Sequence, residues 1–89
     1  MQRKNSNVVQ NGLVPLNTVG EGTDVVIRSF DGGHAFLARI AALGLIPGSE
    51  VRVLANRGRG PVLLHARDTR VAVGRGMANK ILVELKSAS

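Results

Sequence analysis

The chain has 89 residues, 44% of them hydrophobic, with a formal net charge of +6 from 12 Lys and Arg against 6 Asp and Glu. It contains no cysteine, which excludes a disulfide scaffold and any thiolate metal site. Phe30 and Phe36 are its two aromatic residues, so a core of this size must be mostly aliphatic.

Residues 1–13 are polar at the start, carry Arg3 and Lys4, and lack periodicity and an apolar signal-peptide segment. They are expected to form a flexible N-terminal tail ahead of a single domain over 14–86. No apolar run approaches the ~18 residues of a membrane span, and a soluble, cytoplasmic chain is expected. Val14–Val19 predicts one short turn with Leu16 and Val19 as anchors, and Gly20-Glu21-Gly22 breaks the chain. Asp24–Phe30 is the first predicted strand, with Val25 and Ile27 on one face. Asp31-Gly32-Gly33 is a turn.

Ala35, Ala38, Ala41 and Ala42 then predict the one convincing helix. Phe36, Leu37, Ile40 and Leu43 recur on its apolar face, and Arg39 is turned away. Gly44 supplies a left-handed C-terminal cap, and Pro47 forbids further helix. Asp31 is the expected cap at the other end, with His34 in the first turn. Ser49–Asn56 alternates Glu50 and Arg52 with Val51 and Val53, a half-buried second strand. Arg57–Pro61 is a loop. Val62–Ala66 and Arg70–Gly74 are the third and fourth strands, joined by a tight Arg67-Asp68-Thr69 turn. Arg75–Asn79 fits a single helical turn. Lys80–Leu85 is the fifth strand, with Ile81, Val83 and Leu85 inward, and Lys86–Ser89 is an expected frayed end. Five short strands bury one common core by closing into a small barrel, with the helix between strands one and two plugging an open end or lying across it.

Catalytic constellations are not visible. Glu21, Asp24, Asp31, Glu50, Asp68 and Glu84 form no local carboxylate pair, and no serine stands in a nucleophile-elbow context. Asp31, His34 and His65 are the candidate ligands for a transition metal. Gly74-Arg75-Gly76 lacks the spacing of a nucleotide-binding loop. Arg57, Arg59, Arg67, Arg70 and Arg75 offer phosphate contacts, but no Tyr or Trp supplies a stacking platform, so nucleic acid is not the expected partner. A basic nucleic-acid-binding barrel and a metal-binding regulatory domain remain as alternatives.

Gly33-His34 leading into the helix, then Leu43-Gly44-Leu45-Ile46-Pro47-Gly48 and a Val-rich strand, resembles the ferrous iron transport protein A (FeoA) family. Pro15-Leu16 with Gly20-Glu21-Gly22, Pro61–Leu64, Arg70–Gly74 and Met77–Val83 extend the likeness over Val14–Leu85. The resemblance implies an SH3-like barrel with a helical insertion. It also implies a non-enzymatic cytoplasmic accessory of ferrous iron transport, acting by contact with the cytosolic part of FeoB, a large GTP-binding membrane transporter, and peripheral to the membrane through it. On that expectation Arg39, Leu43, Leu45, Ile46, Arg57 and Arg59 are candidate partner-binding residues. Leu45 and Ile46 either close the end of the barrel or expose an apolar corner. Leftover apolar positions such as Leu82 leave homo-oligomers open.

Overall fold

The computed structural model describes residues 12–86, so residues 1–11 of the expected tail and 87–89 of the expected frayed end lie outside the described residues. Six strands form one antiparallel sheet: β1 (Leu13–Pro15), β2 (Asp24–Phe30), β3 (Glu50–Ala55), β4 (Val62–Ala66), β5 (Thr69–Val73) and β6 (Ile81–Leu85), in the spatial order β1-β6-β2-β3-β4-β5. A 3-10 turn (Leu16–Thr18) follows β1, helix α1 (His34–Ala42) joins β2 to β3, and a single turn, α2 (Arg75–Ala78), joins β5 to β6.

The sheet therefore has six strands where the sequence predicts five. Leu13, the last residue of the expected tail, opens β1 opposite Glu84, and Pro15 ends it opposite Leu82. A three-residue strand is too short to alternate visibly, and its proline is tolerated because β1 is an edge with no second partner. The turn after it is as expected, with Leu16 and Val19 buried.

One face of the sheet forms the core by simple alternation. Val25 and Ile27 of β2, Val51 and Val53 of β3, Val62 and Leu64 of β4, Val71 and Val73 of β5, and Ile81 and Val83 of β6 join one cluster with Leu16, Ile40, Leu45 and Ala78. The turn after β1 meets α2, which follows β5, and Arg75 donates to Asn17 O at 3.4 Å, so the two edges of the sheet approach each other and the sheet is coiled. Two irregularities assist the coiling, at Ile27/Ser29 against β6 and at Val53/Ala55 against β4, because a bulge sharpens local twist.

Between β5 and β1 the join is made by the short helices and by polar side chains. Asn56 donates from Nδ2 to Asn17 O (2.9 Å) and Val19 O (2.8 Å). Arg75 donates to Asn56 Oδ1 at 2.5 Å and to Gly60 O at 3.1 Å. This latch ties the segment after β1 to the β3–β4 loop and to α2. Leu85 departs from expectation: its parity with Val83 is inward and it pairs with buried Val25, but β1 begins opposite Glu84 and leaves Leu85 without a strand on its other side, and it is 52% exposed. Lys86 is tied rather than frayed, donating its main-chain N–H to Asp24 O at 2.9 Å.

Candidate interaction surface

Helix α1 forms where alanines concentrate, and it ends by a definite mechanism. Leu43 is the last right-handed residue, and Gly44 follows at φ 84°. Gly44 donates to Ala41 O (2.9 Å) and Leu45 to Ile40 O (3.3 Å), the paired hydrogen bonds of a Schellman motif. Its accompanying hydrophobic element is present, since Ile40 and Leu45 are both buried. The chain then turns through Ile46–Ser49, with Ile46 N–H donating to Ser49 Oγ at 3.1 Å, and Gly48 N–H donating to Ile27 O at 2.6 Å as β3 begins.

The opposite end of α1 lacks the expected cap. Gly33 is the N-cap residue and no side chain bonds there. Asp31 stands two residues before the N-cap, and its main-chain N–H extends the β2–β6 pairing, donating to Lys80 O at 2.8 Å. The helix is held here by Phe36 instead. Its ring packs edge-on against Phe30 with centroids 6.4 Å apart, under Lys80 Nζ at 5.8 Å, and directly against Gly32.

Only one line of α1 reaches the core. Ile40 is fully buried and Phe36 half-buried one turn earlier. Leu37 and Leu43 lie about 60° to either side of Ile40 at the helical period, and look past the sheet. Leu37 is 38% exposed and Leu43 37%, so the apolar face expected of Phe36, Leu37, Ile40 and Leu43 is buried only along Phe36 and Ile40, and Leu43 keeps its place on the candidate surface. Ile46 is 50% exposed, whereas Leu45 is 1% exposed and closes the core. Leu45 is therefore withdrawn from the candidate surface, and Leu37 joins it. Leu37 is missed in sequence because a helix with few polar residues gives no contrast by which to fix the width of its buried face.

Exposed Leu37, Leu43 and Ile46 thus stand around one helix that carries exposed Arg39 and no carboxylate. Arg57 and Arg59 are also exposed but stand elsewhere. They occupy the loop after β3, and the six residues of β3 put about 20 Å of extended chain between that loop and the α1 corner. Arg75 of the expected phosphate-binding arginines is spent on the latch, and Arg67 and Arg70 sit at the β4–β5 turn, the far end of β4 from Arg57 and Arg59.

Asp31, His34 and His65 do not converge. Among the described residues no group of three or more His, Cys, Asp or Glu is placed to hold a metal ion. His34 lies at the start of α1, while His65 stands on the outer face of β4, opposite Arg52 on one side and Arg70 on the other. Most carboxylates are engaged. Asp24 accepts two hydrogen bonds from Arg52 (2.7 and 3.1 Å), Glu50 one from Lys86 (2.6 Å), and Glu84 one from Arg28 (2.8 Å). Glu21 accepts from Asn56 N–H at 2.9 Å. Hydrogen bonding to Arg52 holds the Asp24 carboxyl below its usual range, and hydrogen bonding to Glu50 raises the Lys86 ammonium.

Comparison with known proteins bears on this geometry. The FeoA domain family matches residues 14–85. A protein of Methanocaldococcus jannaschii named as an Fe(2+) transport protein A is 35% identical over 72 residues, covering 81% of this chain and 87% of that one. The crystal structure of an iron uptake regulatory protein (FeoA) superposes with a TM-score of 0.80 at 30% identity, covering 83% of this chain and 99% of that one. The zinc-complexed FeoA of Stenotrophomonas maltophilia, described as an SH3 domain protein, superposes at 0.66 with 30% identity, covering 78% and 87%. The coiled sheet with one inserted helix is accordingly SH3-like. No helix among the described residues is long and apolar enough to cross a membrane.

Proposed function

This chain belongs to the FeoA domain family, a family of ferrous iron transport, and from that premise we propose a non-enzymatic accessory protein that acts in the cytoplasm through contact with the cytosolic part of the GTP-binding transporter FeoB. The observation that carries the proposal is the split use of α1. Phe36, Ile40 and Leu45 anchor the helix, while Leu37, Leu43 and Ile46 stand in solvent beside it. Exposed apolar side chains on a helix and the turn that follows it offer a docking surface. Arg39 at the flank favours a partner patch rimmed with carboxylates.

The polar chemistry supports an interaction role. Carboxylates 21, 24, 50 and 84 serve ion pairs or the loop latch, and the fully buried residues are all apolar. Arg57 and Arg59, on the loop after β3, offer a second contact only to a partner large enough to span the barrel. Membrane association would then be indirect, through the transporter.

The deciding experiment is ferrous iron uptake and GTP hydrolysis by the reconstituted transporter, with and without this chain. A change in either rate on adding the wild-type chain, and none on adding a folded chain with aspartate at 37, 43 and 46, is expected. Identical rates with and without the wild-type chain contradict the proposal.

A further inference from the structure

The outer face of the sheet carries an unusual row. Cross-strand register places Asp24, Arg52, His65 and Arg70 side by side on β2, β3, β4 and β5. Directly opposed side chains on neighbouring strands stand about 5 Å apart, where like charges repel. Three adjacent positions are basic, and Asp24 is the one counterion in the row, already held by Arg52. Beside the row is an open depression of about 290 Å³ lined by Asp24, Glu50, Arg52, His65, Arg67 and Lys86. Two of its cations are neutralised within it, Arg52 by Asp24 and Lys86 by Glu50. Arg67 has no ion-pair partner among the described residues, and His65 adds an uncommitted imidazole.

Arg67 also occupies a position that suits arginine badly. The β4–β5 hairpin is a two-residue turn, with Ala66 opposite Thr69, and Arg67 is the one non-glycine residue among those described with positive φ, at 59°. Glycine or asparagine takes that conformation at lower cost. Backbone strain kept for the sake of a side chain is a recurrent mark of ligand contact.

We propose that this depression binds a phosphate group, with Arg67 and His65 as its donors and Arg70 and the paired Arg52 and Lys86 supplying the positive surround. The guanidinium suits a tetrahedral oxyanion by geometry and charge, and the imidazole adds an N–H donor. A metal cation is disfavoured at the same place, because both carboxylates are committed and His65 is flanked by two arginines. None of its residues belongs to the α1 surface, and the proposal does not depend on that surface's role.

The test is an amide NMR titration of the whole chain with sodium phosphate, against sodium chloride at equal ionic strength. Saturable, phosphate-specific shifts at residues 65–70 and 86 are expected. Arg67→Gly should weaken binding about five-fold, as should His65→Gln. Arg67→Gly should at the same time leave Tm unchanged or raised, because glycine relieves the turn. A phosphate on a soluble metabolite is assigned if free phosphate saturates the site. A lipid headgroup is assigned if only a short-chain phosphatidate below its micelle concentration does so. Shifts no larger than those in chloride with both probes, or variants that bind as tightly as wild type, overturn the proposal.

Discussion

Leu45 donates its main-chain N–H to Ile40 O at 3.3 Å, and both side chains are buried in one core cluster. That pairing fixes where α1 stops and how it sits. It draws the residue after the glycine cap inward, and so leaves Leu43 before the glycine and Ile46 after it in solvent. Gly44 makes the reversal possible at φ 84°. Gly44→Ala meets no atom within 4 Å, so its effect is conformational alone, a loss of about 1 kcal/mol. Leu45→Ala leaves a cavity and should cost about 2–5 kcal/mol. Urea unfolding of the two variants would display this difference in order.

Gly32 and Gly33 separate packing from backbone effects at the other end of the helix. A Cβ on Gly32 would lie 2.4 Å from Phe36 Cδ2, whereas one on Gly33 meets nothing within 4 Å. Gly32→Ala should displace the Phe36 ring at a cost of about 1–3 kcal/mol. Gly33→Ala should cost less than about 1 kcal/mol, the effect of a poorer N-cap. Chemical denaturation measures the difference, and loss of the Phe30–Phe36 contact should appear in the aromatic NMR signals of the first variant.

The latch between Asn56 and Arg75 substitutes for strand pairing between β5 and β1. Asn56→Ala takes its side-chain donor from the Val19 carbonyl, leaves the Asn17 carbonyl with only a longer bond from Arg75 at 3.4 Å, and should cost about 1–3 kcal/mol. Arg75→Met should cost a similar amount. The double variant should be less destabilised than the sum of the singles, because the two side chains share one hydrogen bond. Additive losses in a double-mutant cycle would show that the two act independently.

Asp24 sets an acid-side dependence. Its folded-state pKa is depressed by the Arg52 hydrogen bond, so the stability it contributes is present above the ordinary carboxylate range and is lost as pH falls through the depressed value. Lys86 acts in the opposite sense. Its raised pKa keeps its contribution below the ordinary lysine value, and that contribution is lost as pH rises through the raised one. Both pairs are exposed, so the effects are small and screened by salt. Arg52→Met should flatten the fall in Tm between about pH 5 and pH 2 at low salt, and should leave the alkaline limb unchanged.

Much of this fold is legible in the sequence, because β2 through β6 alternate buried and outward residues over most of their length and the helix is punctuated by Gly44 and Pro47. Two kinds of feature escape it. The three-residue β1 is an edge defined by pairing to β6, a contact distant in sequence. The exposure of Leu37, Leu43 and Leu85 depends on where the sheet ends, which local periodicity does not encode. The same limit applies to the candidate surface. Arg39, Leu43 and Ile46 stay together around α1, Leu45 turns into the core, and Arg57 and Arg59 part from them along β3.

Loading of α1 onto a partner is the central claim, and direct binding tests it most closely. The measurement is the affinity of the purified chain for the cytosolic part of FeoB, comparing wild type with a variant carrying Leu37→Asp, Leu43→Asp and Ile46→Asp. All three positions are exposed by more than a third, so the variant should remain folded by circular dichroism and keep its core NMR signals. Binding by the wild type and a loss of at least about tenfold in the variant, equal to 1.4 kcal/mol or more, is the expected result. A folded variant that binds as tightly as wild type would contradict the account.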